Sequence, residues 1–152
     1  MSASARLREL GIELPEVAVP VAEYVPAVRH GDLIVTSGQL PTVGGTPIVT
    51  GVVGGGVSPD RATEAARVAC LNALAAAAAL AGGIDSIARV LKVVVYVASA
   101  PGFSGQPGVA NGASSLLGEI FGDDGVHARS AVGVAALPLG VPVELELTVA
   151  LS

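Results

Sequence analysis

An arginine and two glutamates stand out in the C-terminal third of this chain, in which only 14% of the residues are charged. Arg129 begins an apolar segment, and Glu144 and Glu146 alternate with apolar residues farther on. A guanidinium group grips a planar carboxylate through two parallel hydrogen bonds. A positioned carboxylate can hold a water molecule or move a proton. We therefore predict a pocket for a small carboxylic acid, with Arg129 as its clamp and a chemical role for one of the glutamates.

Each of these residues also has a structural interpretation. Arg129 could instead pair with a nearby acid or lie in solvent at a strand end, and one of the two glutamates is expected on a solvated sheet face. His127 could share the strand face of Arg129, although a histidine beside a loop is usually a surface residue. Cys70 is expected to be buried and inert.

Four other positions carry groups that could contact a ligand, each with an alternative. The Ser37 hydroxyl and the Gly38 backbone could donate hydrogen bonds, or could simply form the turn that ends a strand. Asn111 is either a ligand contact or a polar residue in the first turn of a helix. Tyr24 could cover a pocket or merely pack. Neither a metal site nor a phosphate loop is predicted, because no His, Cys or acidic pair has ligand spacing and no lysine follows the glycines of 44–56.

The composition limits the class of partner. The 152 residues are enough for a single domain over 1–152 with a sizeable core, and 51% of them are hydrophobic. The net charge is −5, and no basic stripe exists, which argues against nucleic acid. A chain this small and this apolar would expose apolar sheet surface as a monomer. Because such surface usually marks an interface, we predict a homo-oligomer.

The sequence also predicts a cytoplasmic location without membrane contact. The longest apolar run, 71–84, is interrupted by Asn72 and two glycines and is too short to span a bilayer. Residues 1–9 lack the apolar stretch of a signal peptide. The single cysteine precludes an internal disulfide, as is usual in a reducing compartment.

Glycine, proline and capping residues predict the elements that position these groups. After an N-terminal extension, 1–16, with a short helix over 3–10, the order is β-β-(β)-α-β-α-β-β. One helix begins at Ser58-Pro59-Asp60 and ends at Gly82-Gly83, and a second covers 108–121. We predict an α+β fold with these two helices on one face of a mixed sheet. The predicted strands are 25–29, 32–37, 48–52, 89–98, 128–136 and 142–151.

A hairpin between the last two strands would fix the distance between the charged groups. With its turn near Pro138–Leu139, Arg129 lies opposite Thr148. Glu144 then lies opposite Gly133, and four strand residues, or roughly 13 Å, separate the two side chains. One small ligand could reach both only across a subunit boundary, which the expected oligomer supplies.

The chain resembles the RidA/YjgF family, also called the L-PSP endoribonuclease family. The likeness covers nearly the whole chain from about residue 20, and its C-terminal part is the most specific. The sequences of 109–114 and 127–129 resemble a distinct branch of the family rather than RidA proper. The matching stretches are Ile34-Val35-Thr36-Ser37-Gly38-Gln39-Leu40-Pro41, 66–73 with Asn72, 89–97, His127-Ala128-Arg129-Ser130 through Leu137-Pro138, and Val143-Glu144-Leu145-Glu146.

The resemblance implies a chorismate-mutase-like α+β fold of the bacillus type and a homotrimer with clefts between subunits. It also implies hydrolysis of reactive enamines and imines, such as 2-aminoacrylate, to 2-keto acids and ammonia without a cofactor. By position, Arg129 matches the arginine that holds the substrate carboxylate, and Glu144 matches the acid that positions a water. The other matching cleft positions are Tyr24, Ser37, Gly38, Asn111 and Ala131.

Two departures from RidA proper keep more than one function open. Ala131 stands where RidA proper has a cysteine, and Ala22-Glu23-Tyr24 replaces its Gly-Pro-Tyr run. The first hypothesis is an imine deaminase, and the second is a non-catalytic protein that binds a keto acid or an amino acid. A ribonuclease is disfavoured by the acidic charge. A holdase-type interaction protein would not depend on Arg129.

Overall fold

The computed structural model describes residues 1–20 and 22–152, which form three α-helices and seven β-strands. Short 3-10 turns lie at Ile84–Ser86, Gly122–Gly125 and Pro138–Gly140. The helices are α1 (Ala3–Leu10), α2 (Pro59–Ala81) and α3 (Gln106–Phe121). The strands are β1 (Ala27–His30), β2 (Leu33–Thr36), β3 (Thr42–Val43), β4 (Thr46–Pro47), β5 (Ile87–Ala98), β6 (Ala128–Val134) and β7 (Val143–Leu151).

Five of the strands form one mixed sheet in the order β1-β2-β7-β5-β6, and β3 pairs with β4 in a separate hairpin. Strand β5 runs parallel to β6 and antiparallel to β7, and β7 is antiparallel to β2. Helices α2 and α3 contact each other and pack on the same face of this sheet. The predicted α+β class, with two helices on one face of a mixed sheet, is therefore confirmed.

The ends and the close packing of α2 follow from small residues. The Ser58 side chain accepts a hydrogen bond from the Arg61 N–H at 3.2 Å, and Gly82 ends the helix in the left-handed region at φ 83°. The alanine-rich centre of α2 is buried, and α3 approaches it closely. A Cβ atom on Gly112 of α3 would lie 2.9 Å from the Thr63 carbonyl carbon, so only glycine fits there.

Helix α2 also has the length and the apolar composition of a membrane span. The sequence did not suggest this, because its longest apolar run, 71–84, is interrupted. Most of its apolar stretch is buried inside the fold, against the sheet and α3. Burial of this kind is typical of the core helix of a globular domain, which has the same composition.

Two predictions about the strands are wrong. No strand forms over 48–52, since the described ladder in this region is the β3–β4 hairpin just before it. The last two strands do not pair, because β5 lies between β6 and β7. The connection from β6 to β7 passes over the end of β5, where the Ala98 N–H donates to the Pro142 carbonyl at 2.9 Å.

The sheet face away from the helices carries exposed apolar side chains. Val28 and Val35 form a cross-strand pair on β1 and β2, and they are 58% and 49% exposed. Leu33 on β2 and Val132 on β6 are exposed on the same face. We call these four residues the open-face patch. Apolar surface of this kind usually marks a contact surface.

Candidate functional site

Glu144 lies on β7 against the segment that leaves β2. The N–H of Gln39 donates to the Leu145 carbonyl at 2.7 Å, and the Leu145 N–H donates back to Gln39 at 3.1 Å. This short ladder brings Gly38 beside Glu144. A Cβ atom on Gly38 would lie 2.9 Å from Cδ of Glu144 and closer still to Oε1, so the absence of a side chain makes room for the carboxylate.

Ser37 precedes Gly38 and is hydrogen-bonded to the segment that follows Tyr24. The Ser37 hydroxyl donates to the Val25 carbonyl at 2.6 Å, and its N–H donates to the Pro26 carbonyl at 2.8 Å. The hydroxyl hydrogen is therefore already used, which leaves the Ser37 oxygen as an acceptor and not as the donor that the sequence suggested. Tyr24, the residue before Val25, is 51% exposed. We refer to Tyr24, Ser37, Gly38 and Glu144 as the Glu144 cluster.

The surroundings of Glu144 raise the pKa of its carboxyl group. Burial raises its pKa above the usual glutamate value, and the nearby negative charge of Glu146 raises it further. Glu146 accepts a hydrogen bond from the Tyr96 hydroxyl at 3.3 Å. The pKa of Tyr96 is raised by burial, then by the charge of Glu146 and this hydrogen bond. A carboxyl with a raised pKa suits a general base or acid near neutral pH.

Arg129 lies on β6 and is held by α3. Its Nη1 donates to Oδ1 of Asn111 at 2.8 Å and to Oγ of Ser114 at 3.1 Å. Ser114 also lies 2.9 Å from Nε2 of His127, whose Nδ1 is 2.6 Å from the Gly125 carbonyl oxygen. We refer to Asn111, Ser114, His127 and Arg129 as the Arg129 cluster.

The guanidinium group of Arg129 keeps one edge for a ligand. The two hydrogen bonds to Asn111 and Ser114 use both hydrogens of Nη1. Within residues 1–20 and 22–152, no carboxylate lies within 4.0 Å of Arg129, and Nε and Nη2 make no hydrogen bond. The geometry thus disfavours a structural ion pair. Ala131, two residues along β6, is half-buried on the same strand face and packs against the core.

The structure separates the predicted site residues into these two clusters. Arg129 is in register with Val93 of β5 and therefore faces the helices, whereas Glu144 is in register with Tyr96 and faces the open side of the sheet. Three residues along the strands and two strand spacings put their Cα atoms about 14 Å apart. The predicted pairing of Arg129 with Thr148, and of Glu144 with Gly133, is wrong because β5 intervenes.

Sequence reasoning did not find Ser114 and expected His127 at the surface. Ser114 follows Asn111 by three residues and so lies on the same face of α3, a spacing that could have indicated it. His127 is half-buried, and both of its ring nitrogens have partners. The contact between His127 and Ser114 joins the segment before β6 to helix α3, and no local pattern predicts it.

The remaining reactive groups lie outside both clusters. Cys70 is fully buried in α2, and burial raises the pKa of its thiol to about 12, which makes it inert as predicted. Across the described ranges, no three His, Cys, Asp or Glu side chains come together to hold a metal ion.

Topology and site together define a chorismate-mutase-like α+β domain with a candidate carboxylate clamp on one edge strand. A family model described as "YjgF/chorismate mutase-like, putative endoribonuclease" matches residues 4–148. The chain therefore belongs to the YjgF family, which confirms the resemblance and the fold inferred from the sequence.

Proteins similar to this chain come from several organisms. Protein TCP17 of Trypanosoma cruzi is 43% identical, over 98% of this chain and 94% of its own. The crystal structure of Atu1372 from Agrobacterium tumefaciens, a protein of unknown function, is also 43% identical, with a TM-score of 0.90 over 99% of this chain and 92% of its own. The crystal structure of "a putative endoribonuclease" from Shewanella oneidensis is 30% identical, with a TM-score of 0.95 over 99% of this chain and 100% of its own.

A more distant fold relative was crystallised with a small amino acid. The structure of E. coli TdcF with bound serine has a TM-score of 0.65 and 23% identity, over 91% of this chain and 94% of its own. At this identity the likeness shows the shared fold.

Proposed function

We propose that this protein hydrolyses reactive 2-imino acids, and their enamine tautomers, to 2-keto acids and ammonia. One observation carries the proposal, namely the free Nε–Nη2 edge of Arg129. A side-on pair of N–H donors fits a carboxylate with two parallel hydrogen bonds. The serine bound in TdcF likewise carries an α-carboxylate. The location expected from the sequence, the cytoplasm, agrees with a lone buried Cys70.

The chemistry required of the site is modest. Arg129 holds the carboxylate while a water molecule adds to the adjacent imine carbon. Glu144 takes a proton from that water, and the C=N bond becomes the C–N bond of a carbinolamine. Return of that proton to the nitrogen completes the amino group of the carbinolamine. Glu144 then moves the hydroxyl proton to the same nitrogen, so that the C–N bond breaks as the C=O bond forms, and ammonia leaves the keto acid. Positioning and proton transfer together account for the acceleration, since no redox step or cofactor is involved.

We infer that the two clusters meet across subunit boundaries in a homotrimer. Within one chain they lie on opposite faces of the sheet, so no small substrate can touch both. The open-face patch on β1, β2 and β6 supports association through this side of the sheet. A closed ring of three identical subunits would then form each cleft from the Glu144 cluster of one subunit and the Arg129 cluster of its neighbour.

The first experiment tests the activity. An amino-acid oxidase generates 2-iminopropionate in situ, and semicarbazide traps the imine that has not been hydrolysed. We expect wild-type protein to reduce the trapped product and Arg129→Ala to have no effect. Arg8→Ala, an exposed arginine of α1 far from both clusters, is the matched control and should behave as wild type. Equal acceleration by Arg129→Ala and wild type would contradict the proposal.

The second experiment tests the shared cleft. Arg129→Ala and Glu144→Gln chains are inactive alone, but mixed trimers contain some clefts with both groups intact. With random one-to-one mixing, half of the clefts keep the arginine and half of those keep the glutamate, which restores about a quarter of wild-type activity. Denatured and refolded mixtures that stay inactive, while the refolded wild type is active, would contradict a cleft between subunits.

A second function is favoured by Ala131. This half-buried alanine supplies no reactive group next to the clamp, so the same cleft could bind a keto acid or an amino acid without turning it over. Thermal shift with pyruvate and serine distinguishes the two functions. Stabilisation of wild type but not of Arg129→Ala, with no imine hydrolysis, would identify a binding protein.

A further inference from the structure

We propose that His127 and Ser114 position the Arg129 guanidinium, so that its Nε–Nη2 edge is the one presented to the substrate. This inference rests on the proposed function for its kinetic test, and it has a structural test that does not. His127 and Ser114 act through Arg129 and are therefore positioning residues.

The direction of each hydrogen bond in the Arg129 cluster follows from the available donors. The Gly125 carbonyl can only accept, so Nδ1 of His127 must carry the proton of the 2.6 Å contact. In the neutral ring Nε2 is then an acceptor, and the Ser114 hydroxyl donates to it across 2.9 Å. With its hydrogen directed to His127, the Ser114 oxygen turns its lone pairs to Nη1 of Arg129 at 3.1 Å.

The far end of this chain of hydrogen bonds is fixed by packing. Gly125 is buried, and a Cβ atom there would lie 2.7 Å from the Leu117 carbonyl carbon of α3. The backbone of Gly125, whose carbonyl contacts His127, therefore packs closely against the same helix that carries Ser114. Helix α3 packs against both the turn after it and strand β6, which carries the arginine.

Both acceptors on Nη1 are needed to set the orientation of the guanidinium. Asn111 is exposed and holds one hydrogen of Nη1, while the half-buried Ser114 holds the other. A single hydrogen bond leaves the group free to rotate about it, whereas two bonds fix its plane. Arg129 thus lies near the start of β6, and His127, the residue that helps to orient it, lies two positions earlier, just before the strand begins.

Amide substitutions at His127 separate its two contacts. The amide of His127→Gln reaches the place of Nε2 and still accepts from Ser114. The amide of His127→Asn reaches only the place of Nδ1, so it keeps the Gly125 contact and loses the one to Ser114. We expect His127→Gln to behave as wild type and His127→Asn to behave as Ser114→Ala.

The kinetic test measures the rate of imine hydrolysis while the concentration of the amino acid supplied to the oxidase is varied. For Ser114→Ala and His127→Asn we expect KM to rise about tenfold, the effect of one lost hydrogen bond to a charged group, with kcat within about twofold. Ser115→Ala, on the exposed neighbouring serine of α3, is the matched control. An unchanged KM in Ser114→Ala, or a loss of kcat alone, would overturn the inference.

The structural test is independent of turnover. In ¹⁵N-labelled protein, the His127 ring should show one protonated and one unprotonated nitrogen, assigned to Nδ1 and Nε2. The Arg129 side-chain N–H signals should be sharp in wild type and His127→Gln, and broadened in Ser114→Ala. The opposite tautomer, or sharp Arg129 signals in Ser114→Ala, would overturn the inference. If wild type has no activity but these signals behave as expected, only the proposed function fails.

Discussion

The contact between Gly38 and Glu144 gives the sharpest test of the proposed proton-transfer group. In Gly38→Ala, the new Cβ would lie 2.9 Å from Cδ of Glu144, whereas ordinary contacts begin near 3.4 Å. The carboxyl carbon must therefore retreat by about 0.5 Å and the nearer oxygen by more. Misplacement of a catalytic group by about 1 Å can cost 100-fold, so we expect kcat to fall by about 10- to 100-fold.

The same substitution should leave the fold intact. The atom that must move is the far end of a flexible side chain, and Gly38 does not have a positive φ that an alanine would strain. We expect the midpoint of thermal unfolding to stay within a few degrees of wild type. Gly56→Ala, at a glycine with open space around it, is the matched control and should keep full activity. Wild-type kcat in a properly folded Gly38→Ala would refute the role of Glu144.

Four further predictions concern stability and reactivity. Gly112→Ala puts a Cβ against the backbone of α2, which cannot yield, so its free energy of unfolding should fall by about 1–3 kcal/mol in urea titration. Glu144→Gln should abolish turnover yet raise the midpoint of thermal unfolding at pH 8. Because the folded pKa of Glu144 is raised, its charged form destabilises the fold, and the neutral glutamine removes that cost. The increase in the midpoint should vanish in acid, where Glu144 is already protonated. Asp85→Asn should lower the midpoint at neutral pH and have less effect in acid, because hydrogen bonds from Ser4 lower the folded pKa of Asp85 and the stability that they give is lost as the pH falls through it. Cys70 should resist a thiol reagent at pH 8 until the protein is unfolded, and rapid labelling of native protein would contradict its burial.

The elements of this fold could be predicted because their signals are local. Ser58 and Gly82 bound α2 by capping chemistry, which depends on a few neighbouring residues. The strand pairing could not be predicted in the same way. Consecutive strands with a short connection usually pair, and β6 and β7 break that rule because their connection passes over the end of β5.

The candidate site, like the fold, could be predicted from the sequence only in part. The chemistry of Arg129 was evident from its residue type in an apolar strand. Gly38 and Glu144 were candidates from the residues alone, and the family resemblance selected Glu144 over Glu146. Their grouping was not evident, because Gly38 meets Glu144 through a ladder between segments more than 100 residues apart. The role of Ser114 was hidden for a related reason, since its neutral side chain has meaning only beside Arg129 and His127.

The placement of the two clusters on opposite faces of one sheet ties the proposed activity to assembly. Adjacent residues of a strand point to opposite faces, so moving either group to the other face would require a one-residue shift that also exposes the core. The sheet can instead be used from both sides if a second copy covers the open face. The same contact would bury Glu144 further and raise its pKa beyond its value in the single chain, because removal of water disfavours the charged carboxylate. Association would thus complete the cleft and, in the same step, strengthen the proton affinity of the group that the proposed hydrolysis requires.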